Sequence, residues 1–435
     1  MKKHSTLFLF LFFLLQIQAQ TLYFPPLTGN TWDTLSPNRF NWCTENIDSL
    51  YNYLEATHAK SFMILKDGKI VLEKYFGNFT QDSIHYWASA GKSLTATLIG
   101  IAQEKGLLNI NDSVSKYLGV GWTSELPEKE KLISIKNVLS MTSGLDDNPA
   151  APCNDLSQAP ACLQYLADAG TRWGYHSGPY RKLEDIIELV TGKTYTQATA
   201  DFIGNKIGMD GLWFNSVFYS NTRAMARFGL LMLNKVIWQN DTIMKDTSYF
   251  NAMTNTSQNL NKSYGYLWWL NGKSSYMLPT VQFIFPSMLI PTGPPDMFVA
   301  MGKGHQRIYV VPSQKMVVVR VGETPDNSLA WSPFDTIVWK YISKLDDACM
   351  TTSIHQNIKK IELKLFPNPA NNYLFFDGFS SNETIHFRII NSLGRIVKED
   401  ETFNHSIDIS DLEKGNYFIS LQNKTEEAIK AFIKN

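Results

Sequence analysis

The sequence predicts an α/β protein in which a helical insertion interrupts one antiparallel sheet, followed by a small all-β module. Three observations carry this. A strand hairpin lies near the start and β-rich runs return after residue 265, with a long helical stretch between them. After residue 363, short alternating strands are broken by Asn, Gly and Pro turns. The length of 435 residues exceeds one ordinary domain, so two folded units are expected.

The elements follow in order. Lys2 and Lys3 precede nine apolar residues, Leu7 to Leu15, then Gln-Ile-Gln-Ala-Gln. That order is a secretory signal ending near Ala19, and it falls well short of the roughly 20 apolar residues that a bilayer needs. Residues 21–40 read as an extended arm, since Pro25, Pro26 and Pro37 block regular structure. Cys43–Ala56 has helical spacing at Ile47, Leu50 and Leu54. Ser61–Lys66 and Ile70–Tyr75 flank Asp67-Gly68 as a hairpin. From Ser89 the period becomes helical through Leu94, Leu98, Ile101 and Ala102, with Gly106 placed to end the helix. Leu183–Thr191 before Gly192 and Ala224–Leu233 are further helical runs. Strands are expected at 266–270, 298–301, 308–311 and 316–321, then a helix over 328–345. Residues 350–360 are poor in apolar content and read as a linker. The expected division is signal 1–19, main domain 20–349, linker 350–362 and terminal module 363–435.

Composition narrows the function. Lys+Arg and Asp+Glu balance at 40 each, so no basic field exists to hold nucleic acid or an anionic membrane. A small-molecule or peptide substrate is expected, with no membrane span in the mature chain and no cofactor. No C-x-x-C occurs and the eight histidines lie far apart, which gives no metal-ligand spacing. Four cysteines suit an oxidising compartment. Cys153 and Cys162 bracket a Pro/Ala/Asn-rich stretch and are expected to pin a surface loop by a disulfide. Cys43 and Cys349 remain, either as a long-range bridge or as two free buried thiols.

The chemistry centres on Ser89-Ala90-Gly91-Lys92. A spacing of three at a helix start places both side chains on one face. An alcohol needs a neighbouring base, and a lysine in a dry site can shed its charge to serve as one. Backbone N–H groups at the helix start can steady an oxyanion. The motif alone is weak: Ser113-Val114-Ser115-Lys116 is a second S-x-x-K, in a turn context that reads as structural.

Residues 61–345 resemble the serine β-lactamase family, especially its class C branch with related esterases and D-alanyl-D-alanine peptidases. The hairpin, Trp87-Ala88-Ser89-x-x-Lys92, Leu107–Asp112 and Ile135–Leu145 come in that family's order. The resemblance implies a β-lactamase/transpeptidase-like sandwich and an acyl-enzyme on Ser89. It also implies a Y-x-N motif, for which two segments compete. Tyr219-Ser220-Asn221 is the literal match, but Tyr175-His176-Ser177 lies 86 residues after Ser89, resembling the family's interval, and is preferred. Tyr175 would act with Lys92 in proton transfer, its phenol acidified by nearby ammonium charge, and Ser177 would contact substrate. The third motif, K-T-G in many relatives, is matched only by Lys303-Gly304-His305-Gln306. The resemblance makes these four residues substrate-binding, with a second oxyanion donor near the Gln306 amide. His305 is expected to crowd the edge where an amide would lie. These departures argue against efficient β-lactam turnover and leave an esterase, amidase or peptidase. The alternative is a non-catalytic penicillin-recognition or surface-binding protein.

The tail resembles the C-terminal sorting domain of type IX secretion. The resemblance rests on Leu365–Ala370, the Phe387–Ile390 strand, Gly394-Arg395, Ile407–Tyr417 and the closing Lys430–Lys434. It implies the type IX machinery as a partner and a secreted or cell-surface product, and leaves open whether the tail is cleaved.

Overall fold

A computed structural model describes residues 22–324, 333–347, 359–379, 384–392, 395–403, 405–423 and 425–435. The expected signal at 1–19 lies outside them. The chain divides into two compact units after Asp347.

The first unit is built on a six-stranded sheet. Its strands are β1 (Ala59–Lys66), β2 (Lys69–Tyr75), β3 (Trp269–Leu270), β4 (Phe298–Gly302), β5 (Gln306–Val311) and β6 (Met316–Gly322). The spatial order is β2-β1-β6-β5-β4-β3, antiparallel throughout. The β1–β2 hairpin turns at Asp67 and Gly68, both with positive φ (50° and 82°), the geometry that Asp-Gly supplies at low cost. Strands β4, β5 and β6 are buried at every position. This explains why their sequences read as continuous apolar runs and not as alternation.

Helices cover both faces. α1 (Thr44–Ala56) and the last helix of the unit, Phe334–Ile342, pack together on one side. α2 (Gly91–Glu104), α3 (Ser177–Thr191) and α4 (Thr222–Leu233) build the other. Gly229 lets α4 settle on the sheet, because a Cβ there would stand 2.5 Å from Val317 and 2.9 Å from Ile308. α3 ends at Gly192 in the left-handed conformation, as its sequence signalled. Helix α5 (Phe334–Ile342) is shorter than the expected 328–345 run; residues 328–332 of that run lie outside the described residues. The expected strand at 266–270 is confined to β3. Leu267 takes a positive φ of 57° and donates its N–H to Leu139 instead of to a neighbouring strand.

Cys153 and Cys162 form the expected disulfide. Cys43 is a buried free cysteine among the described residues, and its candidate partner Cys349 lies outside them.

The second unit is all-β. One sheet orders 359–360, 426–434, 415–422, 385–391 and 396–402; the other orders 364–366, 373–377 and 406–408. Inward positions alternate along the strands, placing Leu374, Phe376, Phe387, Ile389, Ile419, Leu421 and Phe432 in one core. Of the expected linker, residues 350–358 lie outside the described residues, while Lys359 and Lys360 pair in parallel with Glu426 and Glu427.

Candidate active site

The turn that carries Ser89 is held from three directions before any chemistry is considered. Trp87 is fully buried, donates its indole N–H to Ser220 Oγ (2.7 Å) and its backbone N–H to Phe218 O (2.8 Å). Ala88 takes a positive φ of 48°, a conformation that costs a non-glycine residue of order 1 kcal/mol and persists only where the surroundings enforce it. Gly302, at the end of β4, presses against this turn: a Cβ there would lie 2.3 Å from Trp87 O and 3.0 Å from Ala90 N. Ser89 occupies a 3-10 turn, Ala88–Ala90, that leads directly into α2.

Lys92 lies one turn along. Its ammonium donates to Ser89 Oγ (3.3 Å) and to Ser177 Oγ (3.2 Å), and sits over the rings of Tyr180 (4.4 Å) and Tyr175 (5.3 Å). Burial pushes its pKa down to about 8, with Arg181 adding to the fall and Asp155 and Glu184 opposing it. The aromatic faces and two hydroxyls are neutral partners, so among the described residues the charge has no carboxylate in direct contact.

Ser89 lies beside the Tyr175 phenol and acts on its ionisation. Its ring stacks on Trp269 (6.0 Å, 21°) and meets Tyr264 edge-on (6.3 Å, 85°), a wall that fixes the phenol's direction. The expected acidification is not observed. Burial raises the Tyr175 pKa to about 12, and Ser89 offsets only part of that. Next to it, His176 is buried, with neither ring nitrogen hydrogen-bonded, and burial lowers its pKa to about 4.

Ser89, Lys92, Tyr175 and Ser177 therefore converge. The two competing motifs do something else. Ser113 caps the helix Val114–Leu118, accepting from Ser115 N, and Lys116 pairs with Asp112 at the surface. Asn221 caps α4 by accepting from Ala224 N, and Tyr219 pairs across a strand with Tyr86.

The third segment splits. Gly302 touches the Ser89 turn, whereas Lys303 is exposed in the 3-10 turn that follows. Gly304 has a φ of 74° and His305 a φ of 58°, and the His305 ring stacks on Phe334 of α5 (4.2 Å, 12°). The expected crowding by His305 is thus relieved: the positive φ turns its side chain toward α5. The Gln306 side chain is also spent internally, on Gly322 O (2.6 Å) and Gly322 N (3.1 Å). Two buried arginines hold this segment from behind. Arg320 donates to Gly304 O and His305 O; Arg307 donates to Gly302 O while pairing with Asp335 through two nitrogens.

The sequence reading missed that clamp, the Trp87–Ser220 anchor and the Tyr180/Tyr264/Trp269 wall. The density of aromatic residues at 264–269 was a signal; the arginines had none, because a strand arginine reads as exposed.

Residues 52–328 match the family model described as Beta-lactamase, and residues 364–435 match the Secretion system C-terminal sorting domain. The teichoic acid D-alanine hydrolase of Staphylococcus aureus is 30% identical over 159 residues, covering 34% of this chain and 38% of that protein. The 6-aminohexanoate-dimer hydrolase of Paenarthrobacter ureafaciens is 25% identical over 230 residues, covering 45% and 57%. The chain spans about half the length of the curated relatives it matches. A penicillin-binding protein homologue from Caulobacter crescentus shares the fold, with a TM-score of 0.56 at 14% identity over 73% of this chain and all of that one. The terminal match indicates secretion to the cell surface or exterior. No described helix is long and apolar enough to cross a membrane.

Proposed function

The chain belongs to the β-lactamase family, and from that premise we propose that its 20–349 domain is a secreted serine hydrolase that cleaves esters or amides through an acyl-enzyme on Ser89. The observation that carries this is the contact of Lys92 Nζ with Ser89 Oγ (3.3 Å) at a pKa lowered to about 8. At neutral pH a fraction of Lys92 is uncharged and accepts the Ser89 proton as Oγ attacks the carbonyl carbon. The tetrahedral oxyanion is steadied by backbone N–H groups at Ser89 and near Gln306, by analogy with the family. Tyr175 stays a phenol. It gives its proton to the leaving group and recovers one from Lys92, after which water repeats the cycle on the ester and releases the acid.

Ser177 stands where a class C relative carries Asn, and 303–306 lacks the hydroxyl of K-T-G. Both losses weaken the grip on a β-lactam's amide and carboxylate. Relatives named teichoic acid D-alanine hydrolase and 6-aminohexanoate-dimer hydrolase support a hydrolytic reading.

The test is covalent labelling. A fluorophosphonate should label the purified protein on Ser89, p-nitrophenyl esters should turn over, and Ser89→Ala should lose both. Equal behaviour of wild type and Ser89→Ala would overturn the proposal. Acylation by a fluorescent penicillin with no ester turnover would favour a non-catalytic recognition protein.

A further inference from the structure

The disulfide loop reaches the active site. Cys153–Cys162 closes it, and local hydrogen bonds stiffen it: Asn154 N to Ser157 Oγ (3.0 Å), Leu156 N to Asn154 Oδ1 (2.9 Å) and Ser157 N to Asn154 O (3.0 Å). Three successive residues then seat on the first turn of α3, the turn that begins with Ser177. Gly178 donates its N–H to Asp155 O (2.7 Å), Arg181 donates to Leu156 O (3.0 Å), and Ser157 O approaches Gly178 so closely that a Cβ would stand 2.4 Å away. The loop is fitted to this helix end.

That seating presents Asp155. Its side chain is half-buried and has no hydrogen bond or ion pair among the described residues. Arg172 pairs with Asp147 and Lys182 with Asp185, while Arg181 donates to the neutral Leu156 carbonyl and keeps its charge. The Asp155 charge nevertheless acts on both Lys92 and Tyr175, raising the pKa of each. It therefore lies within electrostatic reach of the reacting atoms, and its carboxylate forms no ion pair with Arg181 or any other described cation.

We propose that Asp155 is a specificity residue that receives an ammonium group carried by the substrate, so that cationic esters or amides are preferred over neutral ones. The inference rests on the serine-hydrolase reading and names its substrate class. A bound ammonium would do two things with one charge. It would neutralise Asp155, and by doing so would withdraw the field that keeps Lys92 protonated, favouring the free base.

Matched isosteres test this. The β-alanine p-nitrophenyl ester and p-nitrophenyl butyrate differ only in ammonium against methyl on the acyl side. Butyrylcholine and 3,3-dimethylbutyl butyrate make the same comparison on the leaving side. Rates are normalised to the sites titrated by fluorophosphonate. Wild type should prefer the cationic member of at least one pair by about tenfold at low salt, as expected for a partly screened charge pair. Asp155→Asn should bring that ratio toward one, and Asp155→Lys should invert it. The Cys153→Ser/Cys162→Ser variant should also lose the preference, by releasing the loop. Hydrolysis of both members with the same ratio in wild type and Asp155→Asn overturns the role of Asp155 and leaves the hydrolase intact. If wild type hydrolyses none of the four esters, the hydrolase reading fails and the inference falls with it.

Discussion

If Lys92 is the base, the pH profile of kcat/KM should report its ionisation. With a pKa of about 8, roughly a tenth of the site is neutral at pH 7. At the ordinary lysine value of 10.5, only about 3 in 10,000 would be, so burial enlarges the reactive population about 300-fold. The assay is hydrolysis of p-nitrophenyl butyrate from pH 5.5 to 9.5, corrected for spontaneous loss. The rate should rise about tenfold per unit below pH 7.5 and level off above about 8.5. Glu184 supplies the perturbation. Its carboxylate favours the charged lysine, so Glu184→Gln should move the midpoint to lower pH by a fraction of a unit. The group itself titrates near 7, raised by burial, so the shift should be clearest above that pH. A profile flat between pH 5.5 and 7.5, or one that moves upward in Glu184→Gln, would refute the assignment of Lys92 as base.

Four further outcomes follow from the same geometry. Lys92→Met should abolish turnover yet stabilise the fold at pH 7 by about 1–3 kcal/mol, read as a raised Tm, because a buried cation with no carboxylate in contact is replaced by an apolar chain of similar volume. Tyr175→Phe should lower kcat about 10²- to 10³-fold while the Lys92 limb of the pH profile persists, since Tyr175 is pushed up to about 12 and does not titrate in that range. Gly302→Ala should lower kcat at least tenfold and lower Tm clearly, as its Cβ meets the buried backbone of Trp87 at 2.3 Å and displaces the Ser89 turn. His176 has a folded pKa of about 4 against 6.5 unfolded, so the unfolded chain binds the extra proton between those values. Its stabilising contribution is complete above pH 6.5 and lost as pH falls toward 4, and His176→Gln should flatten the Tm decline over that window.

How much of this was legible in the chain can be argued residue by residue. The β1–β2 hairpin was readable because Asp67-Gly68 sets the turn locally. α2, α3 and α4 were readable from their apolar spacing and from Gly192. The disulfide followed from two cysteines nine residues apart in a stretch unable to form regular structure. Ser89, Lys92 and Tyr175 were singled out as candidates by motif and interval, which depend only on order along the chain.

Other features depended on what distant segments bring to one place. What sets Ser89 apart from Ser113 is surroundings 83 or more residues beyond Lys92, since Ser177, Tyr175 and Tyr180 close around that lysine and strip its water. The direction of the Tyr175 shift was misjudged for the same reason: charge proximity can be guessed from spacing, whereas desolvation depends on Trp269 and Tyr264 closing over the ring. The His305 side chain follows from a positive φ that Arg320 enforces on a strand end. Local propensity and order along the chain determined the elements and pointed to the candidate reacting groups. Burial, which is a property of the packed whole, decided their ionisation and the place of Asp155 beside them.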